Sequence, residues 1–198
     1  MRVGIGYDIH RFNGPARGTR KRPLKLGGVV IPSARGLAGH SDADVLLHAV
    51  ADALFGAIGA PDLGEQFPPN DPRWRNADSR LFVETACRAL RRQGWRVGNV
   101  DTTVMADAPK LTGYKSRISR SISRMLGVEP RRVSVKAKTT EGFAPGTRGI
   151  AAQAVVLLKP ARGSGLARPG SGPRRAGGAR GKAAHSPEPR ARSKRNSR

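Results

Sequence analysis

Asp8 and His10 stand two residues apart in the alternating run MRVGIGYDIH. In an extended chain that spacing turns both side chains to one face. A carboxylate oxygen and an imidazole nitrogen there can hold one divalent ion. A third ligand must come from elsewhere, and GHSDADVLLHAVAD offers His40 and His48. His48 falls in the middle of a helical pattern, with Asp44 and Asp52 four residues to either side on one face. Two histidines and one carboxylate leave a fourth tetrahedral position open, as in catalytic zinc sites. Asp52 or Asp44 could then hold the far nitrogen of the imidazole.

Two further segments suit phosphate. His40 and Ser41 lie just before the helix expected from Asp42, where free backbone N–H groups can hold an anion. Lys136, Lys138, Thr139, Thr140 and Glu141 close a strand with ammonium, hydroxyl and carboxylate groups. Glu141 suits a magnesium ion that bridges phosphates, because magnesium is commonly held by one or two carboxylates plus phosphate oxygens.

These residues need a scaffold. Val3, Ile5, Tyr7 and Ile9 alternate with Gly4, Gly6, Asp8 and His10, a period of two that predicts a strand. Residues 24–31 predict a short strand or one arm of a hairpin. Ser41 to Ile58 predicts a helix with an apolar stripe at Val45, Leu46, Ala49, Val50, Ala53 and Leu54, and Ser41 or Asp42 as its cap. Further helices are expected over 78–93 and from Leu111 or Thr112 to Leu126, stopped by Gly94 and Gly127. Further strands are expected over VGNVDTTVMAD, 133–137 and 150–158. Strands alternating with helices predict an α/β (α+β) sandwich, a mixed sheet covered by helices.

The chain of 198 residues carries a net charge of +23, which would ordinarily suggest a polyanionic partner. The distribution qualifies that reading. Residues 160–198 hold 11 basic residues and a single acid, Glu188, with Leu166 the one large apolar side chain. That composition predicts a disordered basic tail after a domain spanning 1–159. Without aromatic residues the tail offers no base stacking, only weak, salt-sensitive binding to nucleic acid. Cys87 is the lone cysteine, so no intrachain disulfide forms and a reducing cytoplasm suits the chain. The N-terminus lacks the apolar core of a signal peptide, and no stretch of about 18 apolar residues predicts a membrane span.

GYDIHRF, GLAGHSDADVLLHAVADALFGA, DLGEQFPPNDPRW, ADSRLFVE, GNVDTTVMADAPKL, VSVKAKTTE and GIAAQAV stand in one order along residues 1–159. In these segments the chain resembles the 2-C-methyl-D-erythritol 2,4-cyclodiphosphate synthase family. The resemblance implies a homotrimer with active sites between subunits, and zinc held by Asp8, His10 and His48. His40 and Ser41 would lie in a loop over the substrate, with His40 and Thr139 steadying the transition state. Asp62, Leu63 and Gly64 would hold a ribose, and the segment from Phe67 to Asp71 would line the site with Ile9. Ala106, Asp107, Ala108, Pro109, Lys110, Leu111 and Thr112 would form a cytosine pocket, with Lys110 near a diphosphate. Lys138, Thr140, Phe143 and Arg148 would also face substrate. Glu141 would hold magnesium or manganese.

The implied reaction belongs to the methylerythritol phosphate route to isoprenoids. In 4-diphosphocytidyl-2-C-methyl-D-erythritol 2-phosphate, the 2-phosphate would attack the β-phosphorus of its own diphosphate and release CMP. The nucleophile belongs to the substrate, so no nucleophilic triad is needed. The chain departs from the family pattern at Pro69, Asp107 and Lys138, and EGFAPGTRGIAA is about two residues shorter than usual. A metal-dependent phosphohydrolase is the rival use of the same residues; it would yield a linear product. A chain ending at Lys159 is expected to keep kcat within a few-fold and to lose most salt-sensitive binding to nucleic acid; loss of activity on truncation would mean that the tail docks on the domain.

Overall fold

Ten residues of strand β1 (Arg2–Arg11) alternate between two environments. Gly4 and Gly6 are buried, while Val3, Ile5, Tyr7 and Ile9 on the other face are 55–65% exposed. The strand belongs to a four-stranded mixed sheet in a computed structural model that describes residues 1–13, 22–142 and 148–161. These all lie in one compact unit, Met1–Leu166. The sheet order is β1-β6-β4-β5, with β4 at Trp95–Met105, β5 at Val133–Lys138 and β6 at Gly149–Pro160. β6 runs antiparallel to both β1 and β4, whereas β4 and β5 run parallel.

A β-hairpin of Leu24–Leu26 (β2) and Val29–Ile31 (β3) stands apart from this sheet. Gly27 and Gly28 form its two-residue turn with φ of 62° and 75°. Two successive positive φ angles match the twist of the strands and favour glycine at both positions.

Helix α1 (Val45–Ala57) is buried nearly all round, packed on β1 and β6 and against the helix at Arg80–Arg92. Its cap is Asp44, three residues later than a cap at Ser41. The intervening residues turn instead, with Ala43 at φ 60°. After the short helix α2 (Leu63–Gln66) comes α3 (Arg80–Arg92), which buries Phe82, Val83, Ala86, Cys87 and Leu90. Helix α4 (Lys115–Leu126) starts later than the apolar pattern suggested, because residues 111–114 form a turn in which Tyr114 N–H donates to Leu111 O. It ends at Gly127, whose left-handed φ of 66° lets the last N–H groups fold back on the final turn.

Among the described residues, the helices cover one face of the sheet. Ile5, Tyr7 and Val155 lie on the open face, beside the Asp101–Lys136 ion pair at 2.6 Å. No described helix is long and apolar enough to cross a membrane. β6 ends at Pro160, and Ala161 N–H donates to Gly94 O. The rest of the expected tail, residues 162–198, lies outside the described residues.

The contact between α1 and β1 is very close. A Cβ added at Gly4 would sit 2.0 Å from the Ala53 carbonyl oxygen, and one at Gly6 would sit 2.0 Å from that of Ala49. Nothing but hydrogen fits there, since the obstacle is helix backbone and has no other rotamer to adopt. Replacing Gly6 by valine is expected to push α1 off the sheet and cost about 3 kcal/mol or more, read as a lower urea midpoint; an unchanged midpoint would show that the helix is not held at this distance.

Candidate metal and nucleotide site

The close approach of α1 sets the position of His48. Asp8 Oδ2 lies 2.9 Å from His10 Nε2 and 2.9 Å from His48 Nδ1, and the two imidazole nitrogens are 3.2 Å apart. Among the described residues these three form the one group of acids, histidines and cysteines clustered tightly enough to hold a metal ion. A tetrahedral ion with bonds near 2.0–2.1 Å sets its ligand atoms roughly 3.3 Å apart. The observed triangle is close to one face of such a tetrahedron. Two nitrogens and one oxygen suit zinc better than magnesium, which prefers oxygen ligands.

Hydrogen bonds fix which nitrogen is free. The His10 Nδ1 donates to Ala38 O at 2.6 Å, so its Nε2 presents a lone pair to Asp8 and His48. On His48 the Nε2 meets Ser79 Oγ and Ser41 Oγ, each at 3.0 Å. Ser79 Oγ donates to Asp42 Oδ1 at 2.5 Å and is left to accept from His48. Lys25 neutralises Asp42 at 2.9 Å. The chain Lys25, Asp42, Ser79, His48 therefore puts the proton on Nε2 and leaves Nδ1 free for an ion.

This corrects the sequence expectation for the far nitrogen of His48. Asp52 does not touch the ring; its Oδ1 accepts from Leu63 N–H at 2.8 Å. Asp44 is fully buried and accepts from the N–H groups of Gly27, Gly28 and Leu47. Helical side chains lean toward the N-terminus of their helix, so His48 reaches the turn before α1 and the start of α3, away from Asp52. Spacing along one helix could not reveal Ser79, which comes from another. The buried Asp44 cap also fills the helix N-terminus that the sequence suggested for phosphate.

Electrostatics bind the triad together. Burial alone would raise the Asp8 carboxyl, but His10 and His48 outweigh it and hold it well below the usual carboxylate range. Burial alone would lower the His10 imidazole, and the Asp8 carboxylate outweighs it to give a net rise. Cys87 is no candidate nucleophile, since burial pushes its thiol up to about 11.

An open cavity of about 440 Å³ surrounds the triad. His40 and Ser41 stand at its edge on a loop pinned by Arg22, which donates to the carbonyls of Gly39 and Ser41 and to Asn76 Oδ1. Asp52, Asp62, Leu63, Gly64 and Phe67 line it too. Asp62 caps α2 by accepting from Glu65 N–H. Sequence reasoning missed Trp74 and Phe82, which line the wall and stack with Phe67 at centroid distances of 5.0 and 4.4 Å. The signal was present in DPRW and SRLF, aromatics that follow a Pro-rich loop and a helix start. Ile9 turns its side chain to the opposite face of β1, and its N–H is held by Asp8 Oδ1. Asp71 pairs with Arg73 at 2.6 Å and does not line the cavity.

The remaining expected site residues gather elsewhere. Ala106 N–H donates to Lys138 O, and Asp107 holds both the N–H and the hydroxyl of Thr140, at 2.7 and 3.0 Å. Thr139 Oγ1 donates to Glu141 Oε1 at 2.5 Å, with Glu141 in the left-handed region at φ 52°. Ala108, Pro109, Lys110, Leu111 and Thr112 follow from β4. Arg148 is exposed, its carbonyl accepting from Phe12 N–H, and Phe143 lies outside the described residues. Ile9, Ala151 and Met105 are level across the sheet. The two clusters thus share one end of the sheet, with β1 and β4 about 10 Å apart across β6.

The sequence profile of the YgbB family matches residues 1–159. A relative from Koribacter versatilis, named 2-C-methyl-D-erythritol 2,4-cyclodiphosphate synthase, is 45% identical over 159 residues, covering 80% of this chain and 99% of its own length. A relative of the same name from Moorella thermoacetica is 50% identical over 160 residues, covering 80% and 94%. A solved 2C-methyl-D-erythritol-2,4-cyclodiphosphate synthase in its CDP-bound form superposes with a TM-score of 0.71 at 38% identity, covering 80% of this chain and all of that one.

His48→Ala is expected to fold but lose its zinc, and Ser79→Ala to lower zinc affinity about 10- to 100-fold by freeing the ring, both read by elemental analysis and competition with a chelator. The raised His10 means that its ion pair with Asp8 stabilises the metal-free protein below the unfolded value of about 6.5 and is lost as pH rises through the folded value. Zinc uptake should weaken as pH falls through that same window; full zinc in His48→Ala would overturn the ligand set.

Proposed function

The chain belongs to the YgbB family, and we propose on that footing that it converts 4-diphosphocytidyl-2-C-methyl-D-erythritol 2-phosphate to 2-C-methyl-D-erythritol 2,4-cyclodiphosphate and CMP. It is a phosphorus–oxygen lyase of isoprenoid precursor synthesis. The observation that carries this reading is the Asp8–His10–His48 triangle opening into a cavity beside Asp62 and Gly64. A metal-phosphate end and a ribose end share one wall there.

The chemistry is an internal phosphoryl transfer. An oxygen of the 2-phosphate forms a bond to the β-phosphorus, the bond from that phosphorus to the bridging oxygen breaks, and CMP leaves with the electron pair. The protein supplies position and charge stabilisation. Asp8, His10 and His48 would hold a zinc ion, which would supply Lewis-acid polarisation of a phosphate oxygen. The His40–Ser41 loop covers the substrate and shields it from water. Asp62 receives the ribose hydroxyls, and Gly64 leaves room for the sugar. Ala106 to Thr112 accept the cytosine, with Lys110 directed to the diphosphate. Thr139 and His40 steady the charge that builds on phosphorus, with Lys138, Thr140 and Arg148 at the same end. Glu141 would hold magnesium or manganese, which would supply charge neutralisation at the diphosphate.

We infer a homotrimer whose subunits share these sites. Two observations support it. The open sheet face exposes Val3, Ile5 and Tyr7, a contiguous apolar stripe that water tolerates poorly. The metal triad, on β1 and α1, and residues 106–112, after β4, also lie at one end of the sheet without lining one cavity, so a neighbour's copy of the second segment completes the first. Residues 1–159 form the catalytic domain, and the basic tail is dispensable for it.

Purified protein given the substrate, zinc and magnesium is expected to release cyclic diphosphate and CMP in equal amounts; a linear product would point to hydrolysis. Mixing two inactive proteins, His48→Ala and Lys110→Ala, is expected to restore a measurable fraction of the activity through hybrid sites. No recovery from a mixture shown to exchange subunits would place each site within one chain.

A further inference from the structure

Away from the metal cavity, and sharing no lining residue with it, a second groove of about 430 Å³ runs between the hairpin turn and α4. Arg80, Arg117, Arg120 and Arg124 line it. Three of them are spaced i, i+3 and i+7 on α4, so they share one helix face over two turns. α4 carries Lys115 as well and no acidic residue. None of the four arginines pairs with a carboxylate among the described residues. Like charges at these spacings repel and weaken the helix that carries them.

The groove has a shaped floor as well as charge. Gly28 forms part of it, and a Cβ there would sit 3.0 Å from Arg80 Nε and 3.1 Å from Ser121 Oγ. Arg80 is held in place by donating to Gly28 O at 3.0 Å. The Ser121 side chain is 6% exposed and lines the same groove. An adjoining hollow of about 370 Å³ shares Arg80, Ser121 and Arg124.

We propose that this groove binds an oligophosphate chain of two or more phosphates. Four guanidinium forks, each able to take two phosphate oxygens, converge on a concave surface with a hydroxyl at its floor. The three α4 arginines span about 10 Å along the helix axis, longer than one phosphate and matched by two or three in a row. No aromatic side chain lines the groove, so it has no surface on which to stack a base. The phosphate chain is what is read, whether free or carried by a nucleotide. Concavity and small volume favour such a ligand over the backbone of a nucleic acid duplex.

The test is calorimetric titration with tripolyphosphate, with ATP and with a short DNA duplex on three proteins: zinc-loaded wild type, the zinc-loaded triple variant Arg117→Gln/Arg120→Gln/Arg124→Gln, and zinc-free His48→Ala. Tripolyphosphate is expected to bind the triple variant at least about tenfold more weakly than wild type, charge-assisted bonds being strong, and to bind His48→Ala within about twofold of wild type. ATP should bind about as tightly as tripolyphosphate if the source is immaterial; tighter binding of ATP would assign the site to nucleotides while keeping the phosphate contacts. A melting scan guards against misfolding: without ligand the triple variant should melt no lower than wild type, and tripolyphosphate should raise the midpoints of wild type and His48→Ala but not that of the triple variant. Equal tripolyphosphate binding by wild type and triple variant, loss in His48→Ala instead, or arginine-dependent binding of the DNA duplex with none of tripolyphosphate would each overturn the proposal.

Discussion

Helix α1 lies on strand β1 at a distance that glycine on the strand allows and other residues forbid. Gly4 and Gly6 present only hydrogen to the carbonyls of Ala53 and Ala49, and Ala57 adds a third small side chain along the same line. Two and four residues beyond Gly6 along β1, on the same face, stand Asp8 and His10. One residue before Ala49 stands His48. Close packing over the first half of the strand therefore carries the helical histidine to within 2.9 Å of the Asp8 carboxylate. The site geometry is a continuation of the core packing, set by backbone rather than by flexible side chains.

The second constraint is polar. A histidine between two metal-facing groups must be told which nitrogen to present. That instruction reaches His48 through Ser79, Asp42 and Lys25, residues from the start of α3, the turn before α1 and the hairpin. Ala38 gives the same instruction to His10. Four separate segments of chain thus converge on the two imidazoles. Arg22 ties the loop that carries His40 to the turn at Asn76, which connects the edge of the cavity to the same network.

How much of this was legible in the sequence depends on the range of the interaction. The D-x-H pair was readable because a strand has a period of two, and β1 places both residues on its helix-facing side. The hairpin turn was readable in Gly27-Gly28, and the stop of α4 in Gly127. The start of α1 was not, because Ser41, Asp42 and Asp44 are all good caps and tertiary contacts chose among them: Asp44 also serves the hairpin amides, and Asp42 serves Ser79. The partner of His48 was misplaced for a related reason. Helical spacing nominates neighbours on one helix, whereas the ring bonds residues 7 and 31 positions away. The aromatic wall of Phe67, Trp74 and Phe82 was hidden in the same way, being assembled from a loop and a helix. The open face of the sheet was not legible, because the period of two on β1 does not say whether Val3, Ile5, Tyr7 and Ile9 face the helices or solvent.

Diffraction at the zinc absorption edge tests the central claim most directly, that packing of α1 on β1 builds a three-ligand zinc site. Crystals of the zinc-loaded protein are expected to show one anomalous peak per chain, about 2.0–2.2 Å from Asp8 Oδ2, His10 Nε2 and His48 Nδ1. A peak held by other residues, or none at full zinc saturation, would contradict the account.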